Sequence, residues 1–245
     1  MPDYNEVVLY RLKIWQQQMI RKPSVLNRLA SRVQKRMNAL IPEKVHGVIT
    51  TAIKQMIRGV LFGAKLTTSE PATVISLQET ETKVLERIGF YKRTAAAEGG
   101  LTGAGGILLG LADFPLLLGL KLKLLFEIAA LYGYSVEEYK ERVYILYIFQ
   151  LAFSSQERRT QVYQRLLNWE SESRHLPDDI NHFDWRTFQQ EYRDYIDLAK
   201  MAQLVPVIGA PVGLVVNYHL IKKLGTTAMN AYRMRWQRKQ IGVGS

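Results

Sequence analysis

The sequence contains no cysteine among its 245 residues. Disulfide bonds and thiolate metal sites are therefore excluded, and the absence fits a reducing compartment. The N-terminal stretch also lacks the uninterrupted apolar run of a secretory signal, because Asp3, Glu6, Arg11 and Lys13 interrupt it with charges. We therefore expect a cytoplasmic protein.

Acidic residues are absent from residues 205–245, although that stretch carries six lysines and arginines. Residues 1–66 are also basic, with 12 Lys or Arg against three acidic residues, whereas the middle of the chain is slightly acidic. Two basic ends favour an anionic partner, either lipid headgroups or nucleic acid. The candidate contacts are Arg28, Arg32, Lys35 and Arg36 near the start, and Lys222, Lys223, Arg233, Arg235, Arg238 and Lys239 near the end.

Alternating apolar and polar residues, the pattern of a strand, do not occur over any useful length. Apolar residues instead recur at helical spacing, as in Val8, Leu12 and Trp15. Capping boxes are predicted at Asp3, Ser135 and Ser154, each followed three residues later by glutamate. We predict an all-α, single-domain bundle in which basic helices over 1–66 precede a helical core over 67–245.

Catalytic signatures are also missing. The sequence has neither a phosphate-binding GxxxxGK[ST] loop nor a GxSxG nucleophile elbow, and the spacing of His175 and His182 matches no zinc signature. Glu98 and Asp113 lie among apolar residues, where burial would raise a carboxyl pKa and suit a general acid. We favour Asp113 as a helix N-cap, with Pro115 in the first turn. No enzymatic activity, metal or cofactor is expected.

Two glycine-containing apolar segments, residues 99–131 and 202–221, are the most unusual part of the chain. Small residues recur at a spacing of four in both, which suits close packing of two helix backbones. Pro206 and Pro211 indicate a broken or kinked helix in the second. We hypothesise that the segments pack together or enter a membrane through Gly99, Gly103, Gly106, Gly110, Asp113 and Pro115 in the first, and Pro206, Gly209, Gly213 and Asn217 in the second.

The glycine pattern from Glu98 to Gly110, followed by Asp113-x-Pro115, Tyr132-Gly133-Tyr134 and, near the end, Pro206 to Gly213 with Asn217-Tyr218, resembles the EcsC protein family. The resemblance covers about residues 90–235. It implies a bacterial protein, often encoded beside an ABC transporter, with no assigned catalytic residue. An accessory role in transport would follow from that resemblance.

The resulting hypothesis is a non-catalytic accessory protein, peripherally attached to the cytoplasmic face of a membrane and assisting an ABC-type transporter. One alternative is a soluble helical protein that binds lipid or another hydrophobic ligand in an internal pocket. Nucleic acid binding through the basic ends is a further alternative, because a sequence pI near 9.7 favours phosphate contacts.

Overall fold

A computed structural model describes residues 3–21, 43–62, 70–103, 106–154, 156–184, 186–188 and 209–243. These residues form helices and connecting turns and contain no β-strand, so the all-α prediction is confirmed. The helices are α1 Tyr4–Ile20, α2 Glu43–Phe62, α3 Leu77–Gly103, α4 Gly106–Leu131, α5 Tyr139–Phe153, α6 Gln156–Leu167, α7 Trp169–Arg174 and α8 Gly209–Val243, with a 3₁₀ turn at Ile180–His182.

Helices α3 and α8 form the central pair of the bundle and run antiparallel. Arg233 bonds Glu81, Gly225 lies against Ile88, and the Lys92 ammonium reaches the Tyr218 hydroxyl. Residue numbers therefore fall along α8 as they rise along α3. Extending this register by whole turns places the start of α8, near Gly209, beside the end of α3.

Helix α4 packs against α3 and also contacts α8. The Arg87 and Tyr91 side chains of α3 both bond the Glu127 carboxylate, at 2.6 and 2.7 Å. Because only two residues separate Gly103 from Gly106, the chain turns back and this pair is also antiparallel. Both contacts and the short connection after Gly103 place the start of α4 beside the end of α3. The glycine-containing ends of α3, α4 and α8 therefore gather at one end of the bundle.

Helix α5 is buried along nearly its whole length, since every side chain from Glu141 to Phe153 is shielded from solvent. It contacts α8 through the Tyr144 hydroxyl, which donates to the Ala231 carbonyl at 2.9 Å. On the outside, α1 packs on α6 through an edge-to-face contact between Trp15 and Tyr163, with ring centroids 5.9 Å apart. The predicted apolar stripe Val8, Leu12 and Trp15 is buried, as its spacing indicated.

The end of α4 shows why the sequence Tyr132-Gly133-Tyr134 matters locally. Gly133 has φ +79°, a left-handed conformation that a side chain would strain. Its N–H bonds Ala130 O and the Tyr134 N–H bonds Ala129 O, which closes the helix in a Schellman motif. The two tyrosines that flank this glycine, Tyr132 and Tyr134, both lie against Tyr232 in the C-terminal half of α8.

Several predicted helix boundaries were wrong. Helix α4 runs through Asp113 and Pro115, so Asp113 is not an N-cap. Helix α5 begins after Glu138 and not at Ser135, and the Ser154 hydroxyl donates backward to Leu151 O. Asp3 is the N-cap residue of α1, as predicted, but its side chain makes no capping bond. Pro211 does not break a helix, because α8 begins only two residues earlier and a first turn tolerates proline.

Candidate functional site

The interior of the bundle holds an ion pair between Glu81 of α3 and Arg233 of α8. Two guanidinium nitrogens each approach a carboxylate oxygen at 2.6 Å, and Glu81 is 0% exposed. The hydroxyls of Tyr4 and Tyr132 also donate to this carboxylate, at 2.8 and 3.2 Å. Side chains from four elements therefore meet at the Glu81 carboxylate. The ion pair and the two hydrogen bonds offset the free-energy cost of burying this negative charge.

A second buried pair joins Arg235 of α8 to Glu141 of α5, with nitrogen and oxygen 2.6 Å apart. The Tyr232 hydroxyl donates to the other Glu141 oxygen at 2.7 Å, and the guanidinium lies 3.6 Å from the Tyr134 ring centroid. Burial raises the pKa of the Glu141 carboxyl, although the Arg235 charge and the Tyr232 bond work in the opposite direction. Arg233 and Arg235 of α8 thus point into the protein towards different helices.

An aromatic cleft of about 530 Å³ opens beside these pairs, between the starts of α1 and α3, the turn after α4 and the last turns of α8. Its aromatic lining consists of Tyr4, Tyr132, Tyr134, Tyr232 and Trp236. Tyr132 stacks on Tyr232 with ring centroids 5.2 Å apart, and the Lys239 ammonium lies 4.6 Å from the Tyr134 centroid. Its volume lies within the range of about 300–1,000 Å³ that small-ligand pockets occupy.

Three of the four tyrosine hydroxyls in this cleft, those of Tyr4, Tyr132 and Tyr232, donate to the buried glutamates. Burial, together with the bond to Glu81, raises the pKa of Tyr4 to about 12, and burial also raises the pKa of Tyr132 and Tyr232. These phenols therefore remain protonated near neutral pH and act as hydrogen-bond donors. The cleft offers a ligand ring surface, the Lys239 ammonium, the Asp3 carboxylate and several neutral polar side chains, those of Asn5, Ser76, Gln78 and Gln240.

A second feature surrounds the middle of α3, α4 and α8. Five cations lie at about one level, given the pairing of Ile88 with Gly225 and of Arg87 with Glu127. We call this set the cationic collar: Lys92, Arg93, Lys123, Lys222 and Lys223. All are exposed except Lys92, which is half-buried and lies 4.8 Å from the Tyr218 ring centroid. No acidic residue occurs within 87–97, 114–126 or 209–243.

Comparison with known proteins identifies the family. The family model described as the EcsC protein family matches residues 6–236. The chain belongs to the EcsC protein family. It is 41% identical over 239 residues to Protein EcsC of Bacillus subtilis (strain 168), covering 97% of this chain and 98% of that protein. It is also 32% identical over 213 residues to the uncharacterized protein YdbA of the same organism, covering 83% of this chain and 78% of the relative.

No solved structure matches this EcsC-family chain significantly. Among the helices described, none has the length and apolar character needed to cross a membrane. Within the same described residues, no three His, Cys, Asp or Glu side chains are grouped where they could hold a metal ion. The family assignment confirms the resemblance in the sequence, and it extends the match to nearly the whole chain.

The structure separates the cations predicted to contact an anionic partner. Lys222, Lys223 and Lys239 are exposed and Arg238 is half-buried, whereas Arg233 and Arg235 are turned inward to glutamates. Their glutamate partners lie 152 and 94 residues away along the chain, so sequence spacing could not indicate them, and contact of either arginine with an anionic partner stays a prediction. Arg28, Arg32, Lys35 and Arg36 lie outside the described residues.

The residues predicted to pack the two apolar segments together fall on the described backbones of α3, α4 and α8. Pro206 is the exception and lies outside the described residues. The closest approach with described surroundings is at Gly225, which the glycine spacing did not single out. A Cβ built there would lie 2.6 Å from both Cδ1 and Cγ1 of Ile88. Asn217 is 1% exposed, and its amide oxygen has no partner among the described residues.

Proposed function

We propose that this EcsC-family protein is a non-catalytic accessory protein that attaches peripherally to the anionic cytoplasmic face of a bacterial membrane. The observation that carries the proposal is the cationic collar. Five cations from three helices lie at one level, without an acidic residue in the adjoining stretches of those helices. Anionic headgroups attract such residues by about 1 kcal/mol per Lys or Arg close to the surface.

We further propose that this attachment serves an ABC-type transporter. The support is the family resemblance, since such proteins are often encoded beside transporter subunits. A collar of cations suits a role at the membrane, because it would hold the protein against the bilayer in which such subunits lie. Co-purification with transporter subunits from membranes, reduced when Arg93 and Lys222 are replaced by glutamine, would support this assignment.

Vesicle co-sedimentation tests the attachment itself. The full chain is mixed with vesicles of phosphatidylcholine alone or of equimolar phosphatidylcholine and phosphatidylglycerol, at low salt and at about 0.5 M salt, where the Debye length is roughly 4 Å. We expect binding to the anionic vesicles and weak binding to the neutral ones. Absence of binding to both would overturn the proposal. Tight, steeply salt-dependent binding to duplex DNA in its place would favour a nucleic acid partner.

A second candidate function is the binding of a small hydrophobic or aromatic ligand, and the aromatic cleft favours it. Five aromatic rings around a space of about 530 Å³ provide stacking surface for such a ligand. Extraction of the purified protein with organic solvent, followed by mass spectrometry, tests this function. A stoichiometric compound that is lost in the Trp236→Ala variant would support it, and its retention in that variant would exclude this cleft.

A further inference from the structure

The collar divides α8 into two parts of different character. From Lys222 to Gly209 the helix rises about 20 Å, and α3 rises by the same distance from Phe90 to Gly103. In the opposite direction, the cleft residue Trp236 lies about 20 Å along α8 from Lys222. The collar and the aromatic cleft are therefore at different heights on the same long helix.

Exposed aromatic rings accompany the collar. Phe90 of α3 is 46% exposed and Tyr218 of α8 is 37% exposed, and the contact of Lys92 with Tyr218 fixes them near one level. Aromatic side chains interleaved with cations are characteristic of the boundary between headgroups and acyl chains. Val215, one helical turn beyond Tyr218 towards Gly209, is 52% exposed although it is apolar.

Beyond the collar the three helices carry no cation. Residues 94–103, 106–120 and 209–221 contain neither lysine nor arginine, and their acidic residues are Glu98 and Asp113. The length of this cation-free end, about 20 Å, equals half of a bilayer that is about 40–45 Å thick including its headgroups. It is too short to reach the opposite headgroups.

From this geometry we infer that the end of the bundle formed by residues 94–103, 106–120 and 209–221 enters one leaflet of an anionic bilayer. The collar then lies at the headgroups, α8 stands steeply to the membrane, and the aromatic cleft is held in water. This inference rests on the proposed attachment to membranes and adds the depth and the orientation of the protein. Glu98 and Asp113 oppose entry while charged, so Glu98→Gln should increase the fraction that stays bound in high salt.

The absence of cysteine allows a direct measurement, because each introduced cysteine is unique. Three exposed positions on the two central helices are suitable: Val215 and Ala97 beyond the collar, and Ile241 beyond the cleft. Each variant, V215C, A97C or I241C, is labelled with an environment-sensitive fluorophore and checked for native helicity by circular dichroism. Emission is recorded with equimolar phosphatidylcholine and phosphatidylglycerol vesicles, with nitroxide quenchers at shallow or deep acyl positions.

We expect a blue shift and quenching by the deep nitroxide for labels at 215 and 97, and no change for the label at 241. The use of two helices keeps the test decisive if one variant folds poorly. Bound protein whose three labels all stay in water would overturn the inference and leave the peripheral attachment intact. Equal shallow quenching at all three would mean that α8 lies flat, which also overturns it. Failure to bind the vesicles at all would remove both proposals.

Discussion

Single residues determine how closely α3 and α8 approach, and Gly225 is the clearest case. Any side chain there must displace Ile88, whose Cδ1 and Cγ1 lie 2.6 Å from the position of a Cβ. We expect Gly225→Ala to destabilise the fold by about 1–2 kcal/mol, because overpacking of about 1–3 kcal/mol exceeds the 0.5–1 kcal/mol gained in helix propensity. Urea denaturation followed by circular dichroism measures the change.

Gly119 of α4 provides the matched control, since no atom lies within 4 Å of a Cβ built at that position. Gly119→Ala should therefore be neutral or stabilise the fold by up to about 1 kcal/mol. Equal effects of the two substitutions would contradict the close approach at Gly225.

The Tyr4 hydroxyl connects α1 to the buried Glu81 carboxylate. The free energy of unfolding lost when this hydroxyl is removed should depend on pH. At neutral pH we expect Tyr4→Phe to cost about 1.5–3 kcal/mol, the usual contribution of a hydrogen bond to a charged group. The pKa of Tyr4 is raised from 10.0 to about 12, so its contribution is complete below pH 10 and is lost as pH rises through about 12. The wild type and the variant should therefore converge in stability over that alkaline range.

Tyr10 lies on the same helix but is 67% exposed, so Tyr10→Phe supplies the control. Tyr10→Phe should leave the free energy of unfolding, and its change with pH above pH 10, close to those of the wild type. A Tyr4→Phe variant whose deficit stayed constant from neutral pH to pH 12 would show that the hydroxyl is not held by Glu81. Denaturant titrations at several pH values give the required free energies of unfolding.

At the scale of elements, the Glu81–Arg233 pair fixes the register of α3 against α8. Arg233→Leu leaves the fully buried Glu81 carboxylate without its cation. This should lower the free energy of unfolding by about 3–5 kcal/mol. The double variant Glu81→Leu/Arg233→Leu should recover much of that loss, because no unpaired charge remains. The coupling free energy from the four denaturation curves measures this interaction.

The Arg87–Glu127 pair between α3 and α4 has the same 2.6 Å separation, yet the Arg87 side chain is 42% exposed. Its partner Glu127 is 12% exposed but keeps the bond from Tyr91, so Arg87→Leu should cost about 1–2 kcal/mol, less than Arg233→Leu. If both arginine substitutions had the same effect, burial would not be what gives the interior pair its importance.

The elements also show what the sequence could and could not predict. Helical spacing correctly placed Val8, Leu12 and Trp15 in the core, because that pattern depends only on neighbouring residues. The inward direction of Arg233 and Arg235 depends on Glu81 and Glu141, which only tertiary packing brings near. The aromatic cleft was missed for the same reason, although the two tyrosines around Gly133 were a usable signal.

The layout of charge over the whole molecule makes the proposed attachment to membranes specific to one end. Lys222 belongs to the collar, whereas Lys239 lies on the same helix about 25 Å further along. Both side chains are exposed, so replacing either with glutamine removes one positive charge from the surface without disturbing the core. A partner attracted only by net charge would respond equally to the two changes.

We predict that Lys222→Gln weakens binding to equimolar phosphatidylcholine and phosphatidylglycerol vesicles about fivefold, corresponding to about 1 kcal/mol for one cation at the headgroups. Lys239→Gln should change the partition coefficient little, because about 25 Å is several times the Debye length of about 8 Å at physiological salt. Co-sedimentation at increasing lipid concentration measures both. A stronger effect at Lys239 would place the C-terminal end of α8, and not the collar, against the membrane.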